Sequence, residues 1–94
     1  MSEKILTLHP DGKKGVNIAL AKYEIIKKYI ISILKKEGTL TYQDLNTRAI
    51  NELTPTFDGK VGWYLVTVKL DLEARGVIRR IPKTSPHQIE LVDK

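Results

Sequence analysis

The 94-residue sequence predicts an α+β fold, in which an extended N-terminal segment is followed by three helices and a C-terminal β-hairpin. One observation is the four-three-four spacing of apolar residues between positions 61 and 75, which is typical of one face of an α-helix. Another is a helix-capping pattern that begins at residue 41. The last is an alternation of apolar and polar residues on both sides of a proline-containing loop after residue 81, which indicates a hairpin.

Residues 1–17 are predicted to form an arm and a turn. The alternation in Ile5-Leu-Thr-Leu8 is weak and fits either an edge strand or an extended arm. His9-Pro-Asp-Gly12 indicates a turn, because proline fixes φ and Asp-Gly favours a reversal of the chain. The following Lys13-Lys14-Gly15 lacks the spacing of a nucleotide phosphate loop, so we expect a polar loop before a helix, able to make nonspecific phosphate contacts, instead of a nucleotide site.

The first helix is expected from about Ile18 to Glu37, with Asn17 as its N-cap and Gly38 as its stop. Its apolar residues form a broad stripe, which indicates one surface for the domain core and another for the N-terminal arm or a second protomer. Its lysines fall on the outer side or near the C-terminal end, where positive charge opposes the negative pole of the helix dipole.

Thr39-Leu40 predicts a short strand before the second helix. That helix should begin with Thr41 as its N-cap and with Asp44 completing the capping pattern. Leu40 and Leu45 lie where a hydrophobic staple forms across the start of a helix. The expected core face is Leu45, Ala49 and Leu53.

The third helix is predicted over residues 61–75. Gly76 is its expected stop, because the residue just past a helix often takes a left-handed conformation that glycine adopts without steric cost. Asp58 is placed to cap this helix, and Phe57 to pack against the core before it. The predicted core face is Val61, Leu65, Val68 and Leu72. The predicted outer face is Trp63, Val66, Thr67, Leu70 and Ala74.

The outer face of the third helix is largely apolar. The helix has no net charge, and it offers no cluster of basic side chains for guanine contacts in a DNA major groove. Large exposed apolar patches usually mark interaction sites. We therefore expect this face to pack against the C-terminal hairpin, the N-terminal segment or another subunit.

The C-terminal hairpin is predicted to consist of Val77–Ile81, a loop over residues 82–87, and Gln88–Val92. Arg80 and Lys83 are placed to follow a minor groove or its phosphates. The alternative interpretation is that these bases keep an exposed edge hairpin soluble.

The order helix, short strand, helix, helix, hairpin resembles a winged helix-turn-helix domain, whose hairpin is called the wing. Residues 8–18 and 63–76 resemble a family of short, uncharacterised bacterial proteins with a predicted winged-helix fold, which implies this fold but no catalytic residues. Val61-Gly-Trp63, with the later Gly76-Val-Ile78, is similar to the N-terminal winged-helix domains of some restriction endonucleases and implies the fold alone. The predicted division is an arm over residues 1–17 and a winged-helix domain over residues 18–94.

The sequence shows no pattern of an enzyme or a metal site. It has no cysteine, and His9 and His87 lie beside prolines without carboxylates at ligand spacing. Neither an H-E-x-x-H motif nor a nucleophile elbow occurs, so we expect no catalytic activity, metal or cofactor. With no run of about 18 apolar residues and no signal peptide, the expected location is the cytoplasm.

The formal charge of +5 fits a polyanion partner, and its distribution indicates where that partner would bind. Residues 1–38 carry +4, residues 39–60 carry −1, residues 61–76 carry none, and residues 77–94 carry +2. The first helix and the wing are therefore the expected contacts with nucleic acid. A solvated structural surface is the alternative.

Two hypotheses of function follow. The first is a DNA-binding or transcription-associated module, acting as a homodimer and binding double-stranded DNA chiefly through phosphates. Its candidate contacts are Lys60, Thr67, Lys69, Arg79, Arg80 and Lys83. The second is a protein-interaction or dimerisation module without DNA binding. Its candidate interface is Trp63, Val66 and Leu70. On the fold and the charge, the first is preferred, against the adverse composition of the third helix, and the second is the alternative.

Overall fold

A computed structural model describes residues 3–81 and 88–92 of the chain. These residues form an α+β fold with three helices and small antiparallel sheets. In chain order the elements are β1 (Lys4–Leu6), β2 (Asn17–Ala19), α1 (Leu20–Glu37), β3 (Thr39–Thr41), α2 (Tyr42–Leu53), α3 (Val61–Ala74), β4 (Ile78–Ile81) and β5 (Gln88–Leu91).

The N-terminal segment is folded as a hairpin. β1 pairs antiparallel with β2, and Ile5 lies opposite Ile18. The pairing extends beyond the strands, because the Thr7 N–H donates to the Val16 carbonyl oxygen at 2.9 Å. The predicted turn is confirmed by the hydrogen bond from the Gly12 N–H to the His9 carbonyl oxygen. We call residues 4–19 the N-terminal hairpin.

The predicted start of α1 is wrong by two residues. Asn17 pairs with Leu6 in the N-terminal hairpin, and the helix begins only at Leu20, after Ala19. Ala19 has no side chain that can cap a helix, and no side-chain cap forms. Strand pairing therefore takes the residues that the helical pattern had assigned to the first turn. The predicted end is confirmed, since the Gly38 N–H donates to the Leu34 carbonyl oxygen with Gly38 at φ 84°.

The start of α2 is confirmed. The Thr41 hydroxyl oxygen accepts a hydrogen bond from the Asp44 N–H at 3.0 Å, which is the capping bond that the sequence predicts. Leu40 and Leu45, on either side of this cap, are both buried.

The predicted cap of α3 is wrong, whereas its end is confirmed. Lys60 is the N-cap, and no side chain caps the helix. Asp58 lies two residues earlier, and Gly59 between them has a φ of 141°, so the chain bends after Asp58 instead of entering the helix. At the other end, Gly76 has a φ of 78°, and the Val77 N–H donates to the Leu72 carbonyl oxygen. This bond across a left-handed glycine is the expected helix stop.

The C-terminal strands form the predicted hairpin. β4 pairs antiparallel with β5, and β3 pairs with the other edge of β5, so the strand order is β3-β5-β4. Ile89 at the centre is fully buried and lies opposite Leu40 on one side and Arg80 on the other. The predicted loop over residues 82–87 lies outside the described residues.

The core lies between α1, α3 and the three-stranded sheet. The four residues predicted for the core face of α3 are all buried, and so is Phe57. They pack with apolar residues from both other helices and from the sheet. The largest fully buried apolar side chains are Ile26, Ile30, Leu34, Leu45, Leu65, Leu72, Ile78 and Ile89. Within the described ranges, no helix has the length and apolar character needed to cross a membrane.

Candidate functional site

The outer face of α3 is half covered. Thr67, Leu70 and Ala74 are partly buried, whereas Trp63 in the first turn keeps 46% of its surface exposed. Trp63 contacts Tyr64 edge-to-face, with ring centroids 4.9 Å apart. The N-terminal end of this face therefore presents an exposed aromatic ring, whereas its C-terminal half is partly buried.

The N-terminal hairpin covers the C-terminal half of this face. A cleft of about 120 Å³ separates the hairpin from Thr67 and Leu70, with Leu8 and Val16 on the opposite wall. A second, wider cleft of about 400 Å³ lies between the hairpin and Ala74. Of the neighbours predicted for the outer face, the N-terminal segment is thus observed beside it.

A buried carboxylate joins the hairpin to two helices. Asp71 of α3 is 0% exposed and accepts a hydrogen bond from the Leu8 N–H at 2.8 Å. It also accepts hydrogen bonds from the Tyr23 hydroxyl of α1 and from the Arg75 Nε at 2.8 Å. A buried charge is stable only when it is paired and hydrogen-bonded, and these donors satisfy both oxygens. Asp71 therefore fixes the position of the hairpin against α3.

The environment of Asp71 shifts the pKa of both side chains that donate to it. Burial, and then the hydrogen bond to Asp71, raises the pKa of Tyr23, because the neighbouring carboxylate opposes a phenolate. The hydrogen bond to Asp71 raises the pKa of Arg75, because the carboxylate favours the cation. Both shifts favour the protonated donors, which are the forms that hydrogen-bond to Asp71.

Lys69, a candidate DNA contact, points towards its own chain. Its ammonium is paired with Glu73 one turn later and lies 5.4 Å from the centre of the Tyr42 ring. Only 8% of the surface of Lys69 is exposed. Glu73 also lies 3.8 Å from the Nε of Arg80. A phosphate would have to compete with Glu73 for Lys69, and also for Arg80, whose pairing with Glu73 is longer.

The remaining candidate DNA contacts lie apart from one another. Arg79 is exposed on β4, and its Nε donates to Glu90 of β5 at 2.6 Å. Lys60 is exposed at the start of α3, and Thr67 faces the narrower cleft. Lys83 lies outside the described residues. All four arginines of the chain form ion pairs with carboxylates: Arg48, Arg75, Arg79 and Arg80.

Lysines dominate the outer side of α1. Lys28, Lys35 and Lys36 line an open depression of about 520 Å³ together with Ser32 and Ile31. Among the described residues, no carboxylate contributes to that lining. This surface lies on a different element from the predicted contacts of α3 and the wing, although the charge distribution had indicated the first helix.

Comparison with known proteins places the chain in a family. Residues 4–89 match a family of unknown function, DUF6958. The chain belongs to this family. Comparison with curated proteins finds no match, and comparison with solved structures finds none either. The DUF6958 match includes the N-terminal hairpin as well as the three helices, so it covers the whole surface described above.

In this DUF6958 protein, exposed apolar side chains concentrate around α3. Leu6, Leu8 and Val16 of the N-terminal hairpin are exposed beside the clefts, and Ile50 of α2 lies next to Gly62, one residue before Trp63. We call the outer surface the set Leu6, Leu8, Val16, Ile50, Trp63, Val66, Thr67, Leu70 and Ala74. Five of the seven large apolar side chains that are exposed in the described residues belong to it. Such a concentration is typical of an interaction site.

Sequence reasoning included Trp63, Val66 and Leu70 in this surface but missed the hairpin residues. Leu6, Leu8 and Val16 belong to a segment interpreted as an arm or a polar loop, so no periodicity related them to α3. Asp71 was missed as well, because its partners Tyr23 and Leu8 are 48 and 63 residues away. Its four-residue spacing from Arg75 was the one local signal of a pair.

Proposed function

We propose that this protein is a protein-interaction module with a winged-helix fold, which self-associates through the outer surface. The observation that supports this most directly is the exposed Trp63 at one end of an apolar helix face whose neighbours on the hairpin and α2 are also exposed and apolar. Tryptophan is enriched among the residues that dominate binding energy at interfaces.

The winged-helix part of the proposal is supported by the order of the elements. α1 is followed by the short strand β3, by α2 and α3, and by the β4-β5 hairpin, and β3 joins that hairpin in one sheet. In DNA-binding domains of this kind, the helix equivalent to α3 enters the major groove and places polar or basic side chains on base edges. Here Lys69 of α3, and Arg75 just after its last residue, are both paired with carboxylates of α3.

The test compares the mass of three proteins in solution by light scattering and sedimentation over a concentration series. The wild type is expected to be a dimer. Trp63→Ser should raise the dimer dissociation constant by at least about 30-fold, because an interface residue of this kind contributes about 2 kcal/mol or more. Ile25→Ser is the matched control, since Ile25 is equally exposed at 47% but lies on α1 outside the outer surface.

The control variant should remain a dimer. A monomeric wild type at the highest concentration, or an equal loss of dimer in both variants, would contradict the proposal. Circular dichroism of each variant shows whether a loss of dimer reflects a loss of the fold instead.

A second candidate function is association with double-stranded DNA through its phosphates. It is supported by the lysine-lined depression on α1, whose described lining has no carboxylate, and by the net charge of +5. Binding through phosphates weakens with salt, with a log-log slope of roughly −0.9 per neutralised phosphate.

The matched experiment measures fluorescence anisotropy with random duplex DNA across a salt series. Replacing Lys28 and Lys35 by Gln should make the slope shallower by up to about 1.8, since two phosphate contacts are lost. The same replacement of Arg79 and Arg80 tests the wing contact that the sequence predicts. If neither pair changes the slope, phosphate binding depends on neither these two lysines of α1 nor these two arginines of the wing.

A further inference from the structure

We propose that the cleft between the N-terminal hairpin and α3 receives the Trp63 side chain of a second copy of this chain, in a two-fold symmetric dimer. This inference rests on the self-association proposed above and specifies how the two surfaces fit. Each dimer would contain two identical contacts, since a two-fold interface uses the same patch on both copies.

The cleft has the chemistry of a site for one edge of an aromatic ring. Its volume of about 120 Å³ is somewhat smaller than the ~150 Å³ of an engineered apolar cavity that binds benzene, so it can receive one edge of an indole while the rest of the ring stays outside. Leu8, Val16 and Leu70 supply apolar walls. Lys14 also lines it and provides a cation that attracts the face of an indole ring.

Two polar groups of the lining, on Thr7 and His9, are hydrogen-bonded within the hairpin. The Thr7 hydroxyl donates to the Val16 carbonyl oxygen at 3.2 Å and accepts from the Val16 N–H at 3.1 Å. His9 Nδ1 accepts from the Asp11 N–H at 3.1 Å. An aromatic side chain can therefore enter without leaving these groups unpaired. Burying an unpaired polar group would otherwise be the main cost of covering the cleft.

The cleft is held open before any partner binds. The Leu8 N–H is fixed to Asp71, and Gly15 approaches Thr7 so closely that a Cβ at Gly15 would lie 1.7 Å from the Thr7 carbonyl oxygen. The two sides of the hairpin are thus fixed to each other, and one of them is fixed to α3. A preformed site lowers the entropy cost of binding.

Trp63 does not fill the cleft of its own chain. It contributes nothing to the lining and remains 46% exposed. Side chains on a helix lean towards its N-terminus, so the indole leans away from Thr67 and Leu70, which follow it in the sequence. The exposed tryptophan and the cleft therefore lie on one face of the chain without contacting each other.

An antiparallel pair of α3 helices brings the two together. Trp63, Val66 and Leu70 follow one another along a single face, and Trp63 and Leu70, seven positions apart, are separated by about 10 Å along the helix axis. A two-fold axis near Val66 places each Trp63 opposite Leu70 of the other copy. Because the second helix runs the opposite way, its Trp63 then leans towards the hairpin and the cleft.

The experiment uses two variants that each lack one half of the contact. Trp63→Ser removes the side chain that enters, and Thr67→Arg places a long charged side chain in the cleft. Each variant alone should be monomeric at concentrations where the wild type is a dimer. An equimolar mixture should form a heterodimer, because Trp63 of the Thr67→Arg chain still meets the intact cleft of the Trp63→Ser chain.

Fluorescence gives an independent measurement. Trp63 is the only tryptophan, so the Trp63→Ser chain contributes no tryptophan emission. Its addition should shift the emission of the Thr67→Arg chain to shorter wavelength as the indole leaves water. Val16→Arg blocks the same cleft from the hairpin side and replaces Thr67→Arg if that variant fails to fold.

The outcomes separate this inference from the proposed function. If the wild type is monomeric, both are wrong. If it is a dimer that Trp63→Ser disrupts, but the mixture gives neither a heterodimer nor a spectral shift, the outer surface dimerises and Trp63 binds elsewhere than in the cleft. A heterodimer with the spectral shift supports the inference.

Discussion

Replacing Asp71 by Asn should release the N-terminal hairpin from α3 and lower the free energy of unfolding. The two side chains have nearly the same shape, so the change tests charge and hydrogen bonding instead of packing. Asp71 now accepts from Leu8, Tyr23 and Arg75. An amide keeps one acceptor oxygen and turns two new N–H donors towards groups that themselves donate.

The expected cost is about 3 kcal/mol, the lower end of the range for breaking a buried ion pair. The lower end applies because the Arg75 side chain is 37% exposed and can be solvated once the carboxylate is lost. A domain of this length has a total stability of roughly 5–14 kcal/mol, so the loss is a large fraction of it. With a urea dependence of about 1–3 kcal/mol/M, the unfolding midpoint should fall by at least about 1 M.

Urea unfolding gives the global effect, and hydrogen exchange of the Thr7, Leu8 and Val16 amides gives the local one. The control is Glu37→Gln, which removes the exposed Arg48–Glu37 ion pair and should change the stability by less than about 1 kcal/mol. The reasoning is refuted if Asp71→Asn unfolds within 0.5 kcal/mol of the wild type, roughly the scatter of a neutral surface change, and the three amides stay protected.

Three further changes test other parts of the structure. Folding raises the pKa of Tyr23, and it raises the pKa of Tyr29 to about 12 through burial and then through Glu52. Above pH 10 the folded state therefore keeps protons that the unfolded state loses. The free energy of unfolding should fall there by up to ~1.4 kcal/mol per pH unit for each tyrosine. Tyr23→Phe should be less stable at pH 8 but decline less steeply between pH 10 and 12 in urea unfolding, and an unchanged decline would contradict the assignment. Gly15→Ala should destabilise the hairpin by about 1–3 kcal/mol through overlap with Thr7, measured by thermal unfolding against Lys13→Ala as a surface control. Thr41→Ala should cost about 1 kcal/mol by removing the cap of α2, whereas Thr41→Ser should restore most of it; equal stabilities would show that this bond contributes nothing.

The parts of the fold that depend on local chemistry were predictable. The capping bond of Thr41 and the left-handed Gly76 involve residues within a few positions of one another, so the sequence contains the whole interaction. The core face of α3 was predictable for the same reason, since its spacing repeats the helical period.

The parts of the fold that depend on contacts between distant residues were not predictable from the sequence. Asn17 has the chemistry of an N-cap, but its pairing with Leu6 across the hairpin overrides that preference. The cleft between Val16 and Leu70 joins residues 54 positions apart, and neither segment alone contains a sign of it. The sequence shows how many basic residues α3 and the wing contain. Their ion pairs with Glu73 and Glu90 depend on the geometry of the fold.

The position of β5 at the centre of its sheet has a consequence for synthesis on the ribosome. β3 and β4 flank β5 and are joined through it, so neither has its sheet partner while residues 88–91 are still inside the exit tunnel. Leu40, buried in the complete domain, therefore lacks Ile89 opposite it when β3 and the first two helices have already been made. The sheet can close only after translation has passed residue 91, and until that point the unpaired edge of β3 is the part of the emerging sheet that most needs protection from other chains.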